Sequence, residues 1–316
     1  MKTALICIGI AVPILVIAVL AVCRWIYSVA FQSPHRHQND PLYIPKGFYP
    51  GADNETFLGW VKSMDEVPCE KVSITSRDGL SLTGRYYHTA DNAPVALCLH
   101  GYRSHPMKDF CGGGKLFPRM GYNVLMVHHR AHCESEGKAI TFGIKERHDC
   151  IQWVKYISAR FGSDTPVFIY GISMGAATAI LASGEKDLPV NVKCVIADCP
   201  YSSPRDIIRK VSGDMGFPVG LAYPFVCLSA VVYGRFRIGK VSCVEAAKNS
   251  RVPILLIHGE KDDFVPQYMS DLIAKDNPKV EYHTFADASH GISYITDKER
   301  YINIVKKFLD KNMGVD

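Results

Sequence analysis

The chain has 316 residues, of which 47% are hydrophobic and 21% are charged. A chain of this length and composition can bury a substantial core, as one large domain or two small ones, so global disorder is excluded. The 36 basic and 31 acidic residues are scattered along the chain and leave a net charge of only +5. This distribution argues against nucleic-acid binding.

The first thirty-one residues predict a transmembrane anchor (1–31). No charged residue lies between Thr3 and Cys23, and this run is long enough to cross a hydrocarbon core of about 30 Å as a helix. Arg24 and Trp25 follow at once, a basic and aromatic edge that suits a membrane interface. The sequence therefore predicts a protein that crosses the cell membrane once.

A cleaved signal peptide is the competing interpretation of the same segment. Ser28-Val29-Ala30 could serve as a small-residue cleavage site, and Leu20-Ala21-Val22-Cys23 loosely resembles a lipoprotein box. Both fit poorly, because Arg24 and Trp25 interrupt the first and Val22 is too bulky for the second. The basic residues after the run (Arg24, Arg36 and Lys46), set against Lys2 before it, favour a cytoplasmic catalytic domain.

Residues 32–66 are rich in proline, polar and aromatic residues, which predicts a juxtamembrane linker with a short helix near 55–64. From residue 67 to 316 the pattern is that of one folded domain. KVSITSRDGLSLTGRYYH alternates apolar and polar residues on either side of Arg77-Asp78-Gly79, which predicts a β-hairpin.

Six short apolar runs follow, each bounded by turn residues: VALCLHG at 95, YNVLMVHH at 122, PVFIYG at 166, VKCVIADCP at 192, PILLIHGE at 253 and VEYHTFAD at 280. Segments with helical periodicity separate several of them, for example 144–161. Continuous apolar strands spaced by helices predict a mostly parallel central sheet with helices on both faces.

The interval 203–250 is longer than an ordinary crossover requires. Within it, FPVGLAYPFVCLSAVVY (217–233) is almost uncharged. Two interpretations stay open for this insert: a buried helix against the sheet, or a helical lid that forms a pocket wall for an apolar substrate.

Ser173 lies at a strand-to-helix turn, in Gly171-Ile172-Ser173-Met174-Gly175. An apolar strand comes directly before it and the helix-forming MGAATAILAS directly after. Glycines two residues before and after the serine permit the sharp turn called a nucleophile elbow, and the backbone N–H of Met174 can stabilise an oxyanion.

A serine nucleophile needs a base and an acid that orients the base, and both are expected in later strand-end loops. HGEKDDFVP places Asp262 after the next-to-last strand, and ADASHG places His290 after the last. Asp263 is a rival acid, and Glu260 a more distant one; the loop context favours Asp262.

The loop HGYRSH after the strand VALCL would supply the second oxyanion donor, the backbone N–H of Tyr102. The candidate substrate-pocket residues are His100, Arg103, His105, Tyr201 and Phe264. A turn-and-packing role for His100 stays compatible with the donor assignment.

From about residue 68 to the end, the chain resembles an α/β-hydrolase. The motifs RAHCESEGKAITFGIKERHD, GISMGAAT, ADCPYSSP, HGEKDDFVP and ASHG are similar to those of bacterial, often membrane-anchored, serine hydrolases related to the prolyl oligopeptidase and acyl-esterase branches. The resemblance implies that Ser173 is the nucleophile, His290 the general base and Asp262 its partner. It also implies an oxyanion hole at Tyr102 and Met174, and no metal or organic cofactor.

One loop departs from the family pattern. Where the family has Arg-Gly-His-Gly-x-Ser, this chain has Arg130-Ala131-His132-Cys133-Glu134-Ser135, so we expect backbone angles that residues with a Cβ can reach. His128, His129, His132 and Cys133 also raise a metal-site alternative, which is disfavoured because adjacent strand histidines point to opposite faces.

The leading hypothesis is a serine hydrolase that cleaves a carboxylic ester or thioester through an acyl-enzyme. The uncharged insert and the anchor favour an apolar, lipid-like substrate. One alternative is a peptidase or amidase acting on small peptides. An alternative of another class is a catalytically silent, membrane-tethered binding protein, and the presence of all three triad residues argues against it.

Overall fold

The computed structural model describes residues 2–33, 54–112 and 115–314. Its centre is one sheet, whose strands are Glu70–Thr75 (β1), Ser81–Tyr87 (β2), Val95–Leu99 (β3), Asn123–Val127 (β4), Val167–Ile172 (β5), Val192–Asp198 (β6), Ile254–Gly259 (β7) and Val280–Phe285 (β8). In space the strands follow the order β1-β2-β4-β3-β5-β6-β7-β8.

The sheet is antiparallel only at one edge. β1 and β2 form the predicted hairpin, with Thr75 opposite Ser81, and β2 also pairs antiparallel with β4. All pairs from β4 to β8 are parallel. The central strands are buried along their whole length, because helices cover both faces of the sheet.

The helices are Lys2–Ala30 (α1), Asn54–Asp65 (α2), Pro106–Asp109 (α3), Leu116–Arg119 (α4), Glu146–Phe161 (α5), Met174–Ser183 (α6), Pro204–Asp214 (α7), Val219–Val232 (α8), Cys243–Asn249 (α9), Tyr268–Ala274 (α10), Ser293–Thr296 (α11) and Lys298–Met313 (α12). One buried cluster joins the sheet to α5, α6 and α9. A second joins the opposite face to α2, α3, α4 and α12. The predicted sheet with helices on both faces is confirmed.

The helix α1 is both a candidate membrane span and part of the fold. Its segment Gly9–Ala30 is long and apolar enough to cross a membrane, and side chains such as Ile14 and Ile17 are exposed. Its last turns are different, because Cys23 and Tyr27 are buried against the domain, together with Phe31 just after the helix. The boundary expected at residue 31 therefore does not separate two independent units.

The helix α2 also belongs to the fold, although the sequence suggested a linker over residues 32–66. Phe57, Val61 and Met64 lie on one face of α2 and are buried in the second core cluster. The short helix expected near 55–64 is therefore present, and it packs as part of the domain. The remainder of the predicted linker, residues 34–53, lies outside the described residues.

The insert 203–250 contains α7, α8, a short 3₁₀-helix at Ile238–Lys240 and α9. The helix α8 packs along the end of α1: the Ser229 hydroxyl donates to the Cys23 carbonyl at 2.7 Å. The Tyr233 hydroxyl donates to the Leu20 carbonyl at 3.0 Å. The uncharged segment therefore contacts α1, a partner that neither sequence interpretation anticipated.

Candidate active site

Ser173 lies in a strained turn between β5 and α6. Its φ of 55° and ψ of −115° are uncommon for a residue with a Cβ. A Cβ on Gly171 would come within 2.3 Å of Gly175, and one on Gly175 within 1.8 Å of the Leu99 carbonyl oxygen. The two glycines are thus required by backbone contacts across the turn and against β3, which raises Ser173 to the carboxyl edge of the sheet.

Ser173 makes a continuous hydrogen-bond chain with a histidine and an aspartate. The His290 Nε2 lies 2.9 Å from the Ser173 Oγ, and the His290 Nδ1 lies 2.7 Å from the Asp262 Oδ2. The three residues follow β5, β7 and β8, three strands that end at the same edge of the sheet. This arrangement can transfer a proton from the serine to the imidazole, with the carboxylate orienting the ring.

The Asp262 carboxylate is held on both oxygens. Its Oδ1 accepts from the backbone N–H groups of Phe264 (3.0 Å) and Val265 (2.8 Å), and its Oδ2 accepts from His290. Burial by itself raises the pKa of this group, but hydrogen bonds from His258 and His290 more than offset the burial, so that the pKa falls to about 2. Asp262 therefore stays ionised throughout the neutral range.

The rival acids face other groups. The backbone carbonyl of Asp263 accepts from the Lys210 ammonium, and the side chain of Asp263 is exposed. The Glu260 carboxylate accepts from the Thr284 hydroxyl at 2.7 Å. Of these three carboxylates, the structure brings Asp262 to His290.

The loop after β3 lies directly beside the serine. A Cβ on Gly101 would stand 3.5 Å from the Ser173 Cβ, and Tyr102 follows it on the wall of the same cavity. Met174, on the other side of Ser173, is the first residue of α6 and is fully buried. The two backbone N–H groups predicted as oxyanion donors thus belong to residues that flank the Ser173 hydroxyl.

Two buried histidines hold this loop; the sequence raised a turn-and-packing role for His100, but it did not link His132 to the loop after β3. The Arg103 N–H donates to the His132 Nε2 at 3.0 Å, while the His132 Nδ1 donates to the Arg130 carbonyl at 2.9 Å. In the same way, the His129 N–H donates to the His100 Nε2, and the His100 Nδ1 donates to the Gly101 carbonyl. Burial lowers the pKa of His132 to about 4, which keeps the neutral tautomer that these bonds require.

A half-buried carboxyl group at the cavity wall completes the support of the loop. The Gly101 N–H donates to the Asp109 Oδ2 at 2.6 Å, and the Ser104 hydroxyl donates to the Asp109 Oδ1 at 2.5 Å. Burial raises the pKa of Asp109. The spacing Gly101-x₇-Asp109 was visible in the sequence, but only the loop geometry shows that the two residues meet.

The loop without family glycines keeps glycine-like backbone angles. Ala131 has a φ of 59° and Cys133 a φ of 49°, both in the left-handed region. Residues with a Cβ can reach this region, as expected, but they seldom adopt it. Hydrogen bonds from Ala131 to the Glu136 carbonyl and from Ser135 to the His132 carbonyl impose the turn, at a cost of about 1–2 kcal/mol for each residue.

Among the described residues, two groups bring three potential metal ligands together: one is Cys199, Asp262 and His290, and the other overlaps the metal-site alternative raised by the sequence. Potential ligand atoms of His105, His128 and Cys133 lie within 4.8 Å of one another. However, the His105 Nδ1 accepts from the Met107 N–H at 3.1 Å, which leaves the proton of the neutral ring on Nε2. The donor set therefore fits a metal poorly.

Ser173 and His290 open into a cavity of about 340 Å³. Much of its wall is apolar, with Phe57, Trp60, Ile172, Phe264, Tyr294 and Ile295. Phe264 packs edge-on against the His290 ring, at 5.1 Å between ring centroids. A larger, open groove of about 570 Å³ near His88 and Arg160 contains none of the predicted site residues.

The structure places two of the five predicted pocket residues at the cavity wall. Arg103 and Phe264 line the cavity, whereas His100, His105 and Tyr201 do not. His100 is buried behind the loop after β3, His105 caps α3 through its Nδ1, and Tyr201 is buried in the first core cluster. Among the residues that the structure describes, none from 203–250 lines this cavity, so its wall is formed by α2 and the strand-end loops instead of by a lid.

Asp198, at the end of β6, is a cavity residue that the sequence did not single out. It is fully buried, and its Oδ2 accepts from the Tyr301 hydroxyl at 2.9 Å. Burial raises the pKa of Asp198 to about 6, despite the hydrogen bond from Tyr301. Its signal in the sequence was its position directly after an apolar strand, the same signal that identified Asp262.

The sheet order and the Ser173 turn define an α/β-hydrolase. The chain belongs to the prolyl oligopeptidase family, whose model matches residues 115–316. It is similar to the uncharacterized protein YqkD of Bacillus subtilis, at 25% identity over 79% of this chain and 82% of that protein. It is also similar to the lysophosphatidylserine lipase ABHD12 of Rattus norvegicus, at 23% identity over 71% of this chain and 57% of that protein.

A solved structure supports the same fold. The esterase Pf2001 of Pyrococcus furiosus superposes with a TM-score of 0.64 at 25% identity, over 80% of this chain and 95% of the esterase. These relatives identify the chain as a hydrolase of the α/β type, and its N-terminal apolar helix is consistent with membrane anchoring.

Proposed function

We propose that the protein is a serine hydrolase that cleaves a carboxylic ester or thioester of an apolar acid through an acyl-enzyme. The observation that carries this proposal is the hydrogen-bond chain from the Ser173 Oγ through His290 to Asp262 at the wall of a largely apolar cavity. A protein that only binds a ligand has no need for that chain.

In the proposed reaction, the Ser173 Oγ attacks the carbonyl carbon while the His290 Nε2 takes the hydroxyl proton. The Tyr102 and Met174 N–H groups stabilise the oxyanion, and the imidazolium returns the proton to the leaving alkoxide or thiolate. Water, deprotonated by His290, then attacks the acyl-enzyme and releases the acid. The ionised Asp262 stabilises the imidazolium in both steps.

Two features favour an apolar substrate. Aromatic and aliphatic side chains form much of the cavity wall, and the site lies close to the end of a helix apolar enough to enter a membrane. The names of relatives agree, because one is a lysophosphatidylserine lipase and a structural neighbour is an esterase. A single-chain lipid ester combines these properties.

A substrate panel tests this proposal. Full-length protein in detergent is assayed with p-nitrophenyl esters of increasing acyl length and with aminoacyl p-nitroanilides, with Ser173→Ala as the matched control. We expect ester cleavage to rise with acyl length up to the capacity of the cavity, and to be lost in Ser173→Ala. A clear preference for the shortest acyl chain would contradict the apolar substrate.

A peptidase acting on small peptides is the second candidate, favoured by membership of the prolyl oligopeptidase family. Cleavage of an amide uses the same nucleophile. The amine is a poorer leaving group than an alkoxide or thiolate, so it must be protonated as it departs. If the p-nitroanilides are cleaved with a higher kcat/KM than the esters, this second function replaces the first.

We further propose that the protein crosses the membrane once, with the hydrolase domain on the cytoplasmic side. The support is the excess of basic residues after the apolar run (Arg24, Arg36 and Lys46) over Lys2 before it. Protease treatment of intact spheroplasts tests the orientation. The domain should be digested only after lysis, and digestion before lysis would reverse the assignment.

A further inference from the structure

The helix α8 presents an apolar stripe to solvent. Its exposed large side chains are Leu221, Phe225, Leu228, Val231 and Val232. The spacing of three to four residues places them along one side of the helix, whereas the buried Val226, Ser229 and Ala230 face the protein. The helix contains no charged residue. Contact of such a contiguous apolar stripe with water is unfavourable, and a stripe of this kind is typical of an interaction surface.

The stripe is continuous with the candidate membrane helix. Ser229 and Tyr233 donate to backbone carbonyls of α1 at Cys23 and Leu20. At the other end of α8, the Phe217 ring lies 6.3 Å from the ring of Trp25. The apolar surface of α1 therefore extends onto α8 across a hydrogen-bonded helix contact.

The position of these contacts along α1 indicates how deep α8 lies in the bilayer. Lys2 and Arg24 bound the uncharged run and lie about 33 Å apart along a helix, close to the thickness of a bilayer core. Leu20 then lies about 6 Å deeper than Arg24, within the depth of about 5–10 Å that interfacial helices reach.

We propose that α8 is a second membrane-docking element, whose stripe of Leu221, Phe225, Leu228, Val231 and Val232 enters the lipid interface beside α1. The occupant of this surface is the bilayer, because the stripe adjoins a helix that already requires one. The inference rests on α1 as an anchor and does not depend on the chemistry at Ser173.

Docking of α8 has a consequence for the site. The end of α1 contacts the loop after β3, since the Tyr102 hydroxyl donates to the Ala30 carbonyl at 2.9 Å. Contact of the bilayer with both α1 and α8 fixes the tilt of the domain relative to the membrane. Anchoring by α1 alone leaves this tilt free. The cavity mouth beside Tyr102 and Arg103 is thereby held near the membrane surface.

Quenching by brominated lipids tests the proposal. The probes are Leu228→Trp and Phe225→Trp, made in the full-length chain and reconstituted in vesicles of phosphatidylcholine and phosphatidylglycerol. The matched control is Val190→Trp, another exposed apolar position. Val190 lies just before β6, at the amino end of the strands, opposite the carboxyl end that carries Ser173. Quenching of the wild-type protein, with its three tryptophans, is subtracted.

We expect both probes to be quenched at least threefold more than Val190→Trp, and more by bromines near the headgroup end of the acyl chain than by bromines near its methyl end. Circular dichroism melting verifies that each variant is folded, and either probe suffices if the other fails. Quenching equal to that of the control would overturn the proposal. Absent quenching together with a dimer in sedimentation would assign the stripe to a second copy of the chain.

Discussion

At Ser173, the position of the side chain depends on close backbone contacts around the turn. Gly171 and Gly175 remove the Cβ atoms that would collide across the turn, and the turn brings the hydroxyl within 2.9 Å of the His290 Nε2. Tyr102 and Met174, the proposed oxyanion donors, contribute through their backbone N–H groups. The chemistry proposed for the site therefore depends on single residues with separable roles.

The choice of acid gives the first prediction. Asp262→Asn should lower kcat by about 10³–10⁴-fold, because the amide stabilises neither the productive tautomer nor the imidazolium. The matched variant Asp263→Asn should change kcat by less than about twofold, since the Asp263 side chain is exposed. Ester hydrolysis measured at saturating substrate compares them, and the reverse order of effects would assign the acid to Asp263.

The buried His132 gives the second prediction. Its Nε2 accepts from the Arg103 N–H next to the proposed oxyanion donor, so His132→Ala should lower kcat about tenfold with little change in KM. His132→Gln retains an acceptor at a similar distance and should restore most of the rate. Steady-state kinetics on folded variants measure kcat and KM separately. An equal loss of kcat in both variants, without rescue by glutamine, would show that His132 has only a structural role.

At the scale of elements, the candidate membrane helix α1 and the loop after β3 are joined by hydrogen bonds. The Arg103 guanidinium donates to the carbonyls of Val29 (2.7 Å) and Gln32 (2.6 Å), and the Tyr102 hydroxyl donates to that of Ala30. These bonds join the end of α1 to the loop after β3. We therefore expect the anchor to position the oxyanion loop as well as to hold the protein at the membrane.

This connection is tested by Arg103→Ala and Tyr102→Phe, which keep the backbone N–H groups. Each should lower kcat by about three- to tenfold, because loss of the tie to α1 loosens the proposed oxyanion donor. Lys186→Ala, at an exposed basic residue after α6, is the control and should leave kcat unchanged. Unchanged kcat in both test variants would show that α1 acts as an anchor alone.

At the scale of the whole molecule, a cluster of neutral histidines lies behind the candidate active site. The pKa values of its members are lowered, chiefly by burial; they are His100, His105, His128, His129 and His132. The unfolded chain binds protons at these residues near pH 6.5, whereas the folded chain does not until the pH is much lower. Folding stability must therefore fall as the pH drops below about 6.5.

The resulting acid sensitivity is the fourth prediction. Each such histidine adds a slope of up to about 1.4 kcal/mol per pH unit to the free energy of unfolding, between the ordinary pKa and the folded one. For His129, whose pKa is about 3, that window extends from about pH 6.5 down to about pH 3. His129→Gln should reduce the slope there, and His88→Gln, at an exposed histidine, should leave it unchanged. Denaturant melts in detergent at several pH values measure it, and equal slopes in all three proteins would contradict the prediction.

Local patterns were sufficient to predict the strands and the groups at their carboxyl ends. Ser173, Asp262 and His290 each follow an apolar run, and parallel strands bring such positions to one edge. The roles of His100, Tyr201 and the insert were harder to predict, because they depend on which surfaces meet. Nothing in the periodicity of 217–233 indicates α1 as its partner, and nothing near His132 indicates that it would support the Arg103 N–H.

Covalent labelling tests the central claim, that Ser173 is the nucleophile of a serine hydrolase, most directly. Full-length wild-type protein, Ser173→Ala and His290→Ala are treated with a fluorophosphonate, and the modified peptide is identified by mass spectrometry. The wild-type protein should carry one adduct on Ser173, Ser173→Ala none, and His290→Ala a strongly slowed reaction. Labelling that persists in Ser173→Ala, or a wild-type protein that fails to react, would contradict it.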